Sequence, residues 1–153
     1  MTRSHGFVSA AGILMIAALA VVMLVSGCRT GEKTSQFDIT YEELDELIRT
    51  GDGTLRLIDV RTVDEYLDEH IPTAVNIPVA TVAEWTKEQA EAELGAVDSD
   101  ITIVVYCAAG GRASNAKTKL LLLGYDDVRS FGKLSLWEGG TVIGPDLGTV
   151  GDL

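Results

Sequence analysis

The chain is short of the residues from which metal sites and disulfide frameworks are built. It has two cysteines, Cys28 and Cys107, and two histidines, His5 and His70. Neither cysteine belongs to a C-x-x-C pair, and no further cysteine can complete a zinc site, so a Cys/His metal cluster is excluded and no cofactor is expected. Positive charge is scarce as well: 12 Lys and Arg stand against 23 Asp and Glu, for a net charge of −11. Setting aside residues 1–27 removes Arg3 and no acid, which leaves 11 basic residues against the same 23 acidic ones. Nucleic acid needs clustered Lys and Arg, and anionic lipid needs a polybasic patch, so neither partner fits this surface. The acidity reads as solubility. Internal repeats are missing too, and 153 residues suffice for one domain whose core needs no disulfide or metal.

What is present begins with an apolar N-terminus. Arg3 gives a positive start, Gly6 to Val25 is apolar apart from Ser9, and Val25-Ser26-Gly27-Cys28 follows. Small residues before a cleavage point suit a peptidase that needs an extended, unobstructed backbone. The run resembles a bacterial lipoprotein signal peptide over residues 1–27. That resemblance makes Cys28 the first mature residue, lipidated on its sulfur and amine, and the protein extracytoplasmic and held to the membrane through its lipid anchor. An uncleaved transmembrane anchor is the alternative, since the stretch is about long enough to span a bilayer. The Ser-Gly-Cys ending has no role in a plain anchor and favours the lipoprotein. Residues 28–36 read as a polar tether.

From Phe37 onward, helix and strand signals alternate. Thr40 with Glu43 forms a capping box, followed by the helical stripe Tyr41, Leu44, Leu47, Ile48. Gly51-Asp52-Gly53 breaks the chain before a strand from Leu55 to Val60. Thr62 with Glu65 makes a second capping box, opening a helix to about Glu69. Ala74 to Ile77 is a short strand, and residues 82–94 read as one helix containing Trp85. Ile101 to Tyr106 is β-branched, apolar and uninterrupted, as in a strand buried on both faces of a parallel sheet. Ala113, Ala116, Leu120 and Leu123 recur at helical spacing up to the natural stop Gly124. Asp127 to Phe131 is a last strand, residues 132–140 include Trp137, and residues 141–153 read as a loose C-terminal tail. The alternation predicts an α/β domain over residues 37–140 with a parallel sheet.

The chemistry is expected at Val104-Val105-Tyr106-Cys107-Ala108-Ala109-Gly110-Gly111-Arg112-Ala113-Ser114. A buried strand ends on a cysteine, a small Gly-rich turn follows, and a helix begins near Arg112. Carboxyl ends of parallel strands are where open α/β sheets form ligand crevices. The turn lets backbone N–H groups converge on one point, reinforced by the dipole of the new helix. An anion such as a thiolate is stabilised there, and the thiolate is the reactive form. A cysteine that merely packs would need neither two glycines nor an arginine after it.

With these residues in view the chain resembles the rhodanese family over residues 37–140. Leu57-Ile58-Asp59-Val60-Arg61, then Glu65-Tyr66, then His70-Ile71-Pro72-Thr73-Ala74-Val75-Asn76-Ile77-Pro78 carry its first signature. The Cys107 strand and loop carry the second, and Leu123-Gly124-Tyr125, Gly132 and Trp137 agree. The resemblance implies a rhodanese-like α/β fold, a parallel five-stranded sheet with helices on both faces. It implies a sulfurtransferase in which Cys107 is catalytic and carries sulfane sulfur as a persulfide. The sulfur would come from a small-molecule or protein-borne donor and pass to a thiol acceptor or another nucleophile. The substrate cradle would be Ala108, Ala109, Gly110, Gly111, Arg112 and Ala113. Asp59, Arg61 and Glu65 would form an ionic brace beside it, with His70 structural and Trp137 in the core or pocket wall.

Cys107 to Arg112 is a C-x4-R loop, as in sulfur-handling members. The fold's phosphatase and arsenate-reductase relatives carry one residue more, so that activity is the weaker alternative, beside a catalytically silent binding module. Ala108 and Ala109 leave Arg112 as the only cation in the loop, so a neutral or protein-borne persulfide donor stands beside thiosulfate. Glu69 and Thr73 replace residues that are commonly glycine, and small backbone adjustments are expected there.

Overall fold

Capped helices and β-branched runs alternate here because each element's ends are written locally and its apolar face needs a partner. The computed structural model describes residues 37–51 and 53–145, all within one compact unit. The signal segment and tether with Cys28, Asp52, and residues 146–153 lie outside the described residues.

Helix α1 (Tyr41–Thr50) starts at Thr40, whose hydroxyl accepts from the Glu43 N–H while the Glu43 carboxylate accepts from the Thr40 N–H. Strand β1 (Leu55–Asp59) leads to α2 (Val63–Asp68), which opens on the same reciprocal pair between Thr62 and Glu65. Short β2 (Val75–Asn76) follows. The single helix expected over residues 82–94 is instead two, α3 (Val79–Glu84) and α4 (Lys87–Leu94). Trp85 is extended, and Thr86 with Gln89 forms a third capping box that restarts the helix. Strand β3 (Thr102–Cys107), helix α5 (Gly111–Leu123) and strand β4 (Val128–Lys133) complete the frame, and a 3₁₀ turn at Leu134–Leu136 leaves it.

Among the described residues the sheet has four strands, not the five expected, all parallel in the order β2-β1-β3-β4. A further strand beyond β4 would have to come from the residues around Asp38. The Asp38 N–H does donate to the Ser130 carbonyl at 3.0 Å. The Ser130 N–H, however, donates to the Asp38 carboxylate at 2.7 Å. A side chain takes the donor that a ladder would have used, and pairing stops there.

Both faces of the sheet are covered. Ile58, Ile103, Val105 and Cys107 pack with Val82 of α3, Leu94 of α4 and Ala113, Ala116 and Leu120 of α5. Leu57, Val104, Tyr106 and Phe131 point the other way, onto Leu44 of α1, Tyr66 of α2 and Ile71. Alternation along β3 thus sends one residue to each face in turn, which explains its unbroken apolar run.

The first residues of the expected loose tail are tied down. Val142 pairs with His70 in an antiparallel bridge, and the Gly144 N–H donates to the Leu67 carbonyl at 2.8 Å. Of the two glycine-replacing residues, Glu69 takes an ordinary extended conformation. Thr73 is held at φ +69°, among the described residues the one non-glycine at positive φ.

Candidate active site

The strand order places the topological switch between β1 and β3, since the chain runs outward from β1 to β2 and then crosses to β3 on its other side. The carboxyl ends of these two neighbours carry Asp59 and Arg61 on one and Cys107 on the other. Cys107 is 1% exposed, with Ala108 and Ala109 exposed and Gly110 buried beyond it. The chain turns back onto the sulfur at Gly110, whose N–H lies 3.0 Å from Cys107 Sγ. Gly110 has φ +94°, and a Cβ there would stand 3.0 Å from the Phe37 ring, so both its conformation and its space call for glycine. Helix α5 starts at the next residue, and its first turn points its dipole at the loop.

The expected brace of Asp59, Arg61 and Glu65 is two separate devices. Asp59 and Arg61 form a buried pair: Arg61 Nη2 donates to Asp59 Oδ2 at 2.7 Å, and the Arg61 Nε and backbone N–H also reach the carboxylate. Arg61 further donates to the Glu69 carbonyl, and Asn76 Nδ2 donates to the Asp59 and Arg61 carbonyls at 3.0 and 3.1 Å. Burial and the Asp59 charge push the Tyr106 phenol well above its ordinary range, and its oxygen accepts from the Ile71 N–H.

Glu65 faces elsewhere. Its carboxylate takes both ends of the Arg112 fork, at 2.6 and 2.7 Å. Those bonds, with the Thr62 N–H, hold the Glu65 carboxyl well below the usual carboxylate range. Arg112 is pushed up in turn, first by its hydrogen bonds to Glu65 and then by its charge, with a lesser contribution from the Cys107 sulfur. Arg112, expected as the only cation of the loop, is clamped, because the capping carboxylate of α2 stands opposite it. Ala113, expected in the cradle, is fully buried in the core beneath it.

A cavity of about 320 Å³ opens beside the loop at Ala108. Leu134, Trp137 and the polar Ser135 and Thr141 line it, with Arg61 and Glu69 at its charged side. Trp137 is held there by its Nε1–H bond to the Gly140 carbonyl and by edge-on contact with the Tyr41 ring at 5.1 Å. Leu134, Ser135 and Thr141 carry no signal in the sequence, since only packing brings them to the loop, and Glu69 stands out there as a glycine replacement and not as a cavity residue. A cleft of about 340 Å³ lined by Asp98, Asp100, Asp126 and Asp127 sits at the opposite end of β3, beyond reach of Cys107. His70 is buried, stacked on Tyr66, with Nδ1 2.8 Å from the Tyr66 carbonyl, a structural position. Among the described residues no three His, Cys, Asp or Glu side chains gather as metal ligands.

Residues 40–137 match the rhodanese-like domain. The chain belongs to that family. Thiosulfate sulfurtransferase PspE of Escherichia coli (strain K12) is 36% identical over 77 residues, 50% of this chain and 68% of that protein. A putative mitochondrial thiosulfate sulfurtransferase of Schizosaccharomyces pombe is 36% identical over 88 residues, 54% of this chain and 61% of that protein. A solved structure described as rhodanese with anions, from E. coli, superposes with a TM-score of 0.51 at 33% identity, covering 59% of this chain and 99% of that one. This rhodanese-like domain thus shares fold and sequence with proteins named for sulfur transfer.

Proposed function

We propose that this rhodanese-like protein is a sulfurtransferase that carries sulfane sulfur on Cys107. The reading rests on one observation above the others: Cys107 ends a buried strand with the Gly110 N–H 3.0 Å from its sulfur, at the mouth of a helix. An N–H aimed at a sulfur stabilises it as an anion, both as thiolate and as persulfide. In the first step the Cys107 thiolate attacks the outer sulfur of thiosulfate. The new S–S bond forms as the old one breaks, and sulfite leaves with the electron pair. In the second step an acceptor thiolate attacks the outer sulfur of the Cys107 persulfide, takes that atom, and returns the Cys107 thiolate. No external oxidant or reductant enters, and two low-barrier exchanges replace one difficult transfer.

Incubating the full chain with thiosulfate is expected to add one sulfur atom to the peptide containing Cys107, and adding a thiol to remove it. Cys107→Ser is expected to stay folded and to lose both adduct and turnover. Sulfur transfer at the wild-type rate in Cys107→Ser would sink the reading. The burial of Cys107 favours one second reading, a binding module without turnover. It predicts that no donor leaves a persulfide.

Lipid attachment at Cys28 belongs to the same proposal, motivated by Val25-Ser26-Gly27-Cys28. Mass spectrometry of membrane-extracted protein is expected to find an acylated cysteine at the mature N-terminus, and an N-terminus at Met1 would rule it out.

A further inference from the structure

The cations that sequence or geometry places at the Cys107 loop are already committed. Arg112 is forked onto Glu65, and Arg61 is buried against Asp59. The nearby cavity adds the exposed Glu69, and the whole chain carries a net charge of −11. A dianionic donor approaching this loop meets paired charges and a surplus of carboxylates. An unpaired cation would add to the backbone N–H groups of the loop in holding a donor such as thiosulfate.

Lys133 lies at the end of the neighbouring strand β4. Among the described residues its ammonium has neither a hydrogen bond nor an ion pair, and the residue is half-buried. Its position follows from an irregularity in the sheet. Ser130 stands opposite Val105, so regular pairing would bring Gly132 opposite Cys107. Instead Phe131 is an extra residue, Gly132 stands opposite Tyr106, and Lys133 is the Cα partner of Cys107. The bulge thus replaces a residue without a side chain by one bearing an ammonium. Neighbouring strands lie about 4.8 Å apart, and directly paired residues project to the same face. A flexible lysine stem starting there is long enough to carry a compact charge to a group bound at the sulfur. Lys133 also leads directly into Leu134 and Ser135, which line the cavity beside Ala108.

We propose that Lys133 is the specificity-determining residue of this site, anchoring the oxyanion end of a sulfonate-type sulfur donor while the outer sulfur meets Cys107. The inference rests on the sulfurtransferase reading for its donor, but the charge at the site can be tested without turnover. The probe is Cys107 alkylation in the full chain, followed on its own peptide by mass spectrometry. Anionic iodoacetate is compared with neutral iodoacetamide. Lys133→Met, close in volume, is expected to lower the iodoacetate-to-iodoacetamide rate ratio about fivefold, the scale of one partly exposed charge. Lys133→Arg is expected to keep most of the ratio. With thiosulfate as donor, Lys133→Met should raise KM by a similar factor with kcat nearly unchanged, and should flatten the dependence of KM on salt.

An unchanged alkylation ratio in Lys133→Met overturns the proposal, as does a thiosulfate KM that does not move in an active enzyme. If the ratio falls but wild-type protein forms no persulfide with any donor, the anion site stands and the sulfurtransferase reading fails.

Discussion

Glu65 and Arg112, 47 residues apart in sequence, meet fork to fork at 2.6 and 2.7 Å and join the cap of α2 to the first turn of α5. The same carboxylate accepts from the Thr62 N–H and hydroxyl at 3.0 Å. One side chain therefore closes a helix and pins the far side of the Cys107 loop.

This pairing makes stability depend on acid. Glu65 is held below its ordinary pKa in the folded chain, so the unfolded chain binds a proton that the folded one refuses. The contribution is complete above the ordinary carboxylate pKa of roughly 4.3 and is lost as pH falls below it toward the depressed value. Glu65→Gln keeps the capping geometry and removes the charge. About a third of each partner is exposed, so the expected loss near neutral pH is only about 1 kcal/mol. Thermal unfolding of both proteins from pH 7 to pH 2 should show the curves converging in acid. A constant gap across that range would mean that the charge is irrelevant.

Arg112→Ala is expected to lower kcat/KM alike for thiosulfate and for glutathione persulfide. Arg112 holds the loop through Glu65, and misplacing a reacting group costs about a hundredfold. Arg112→Lys should recover little, because a lysine cannot reproduce the two-pronged contact. A loss confined to thiosulfate would instead make Arg112 the anion anchor and leave no role for Lys133.

Phe37 lies across Gly132, where an added Cβ would come within 2.5 Å of the ring, and Gly132 has φ +83°. Gly132→Ala is expected to destabilise the protein by about 2–3 kcal/mol from backbone strain and the displaced ring. In Phe37→Ala the obstruction is gone, so Gly132→Ala should cost less in that background. Urea denaturation of the two single variants and the double variant gives the coupling, and strict additivity would show that the ring does not press on the bulge.

Thr73, β-branched and at φ +69°, holds a conformation that its side chain resists. Thr73→Gly is expected to raise stability by about 1 kcal/mol, because the relief of roughly 1–2 kcal/mol exceeds glycine's extra entropy on unfolding. A fall in melting temperature would show that the side-chain contacts of Thr73 outweigh its strain.

Much of the fold was legible because its signals are local. The capping boxes at Thr40 and Thr62 read directly as helix starts, and each is present with both bonds made. The run Ile103, Val104, Val105, Tyr106 read as a doubly buried strand, and it is one. The break at Trp85 was not legible, since a stretch rich in Ala and Glu suits a helix at every position and the third capping box lies inside it. The fifth strand was inferred from resemblance, but the Asp38 carboxylate takes the bond on which it depended.

Read on their own, the residues give the alternation of strands and helices, the cysteine at a strand end, and the glycines that turn the chain back over it. Propensity, capping and turn geometry depend on residues only a few positions apart. Tertiary structure alone decided which charges meet. Glu65 found Arg112 across 47 residues, and a single extra residue at Phe131 moved Lys133 into line with Cys107. A strand pattern repeats every two residues and carries no mark of where pairing slips by one, so the charge beside the sulfur is set by register and packing.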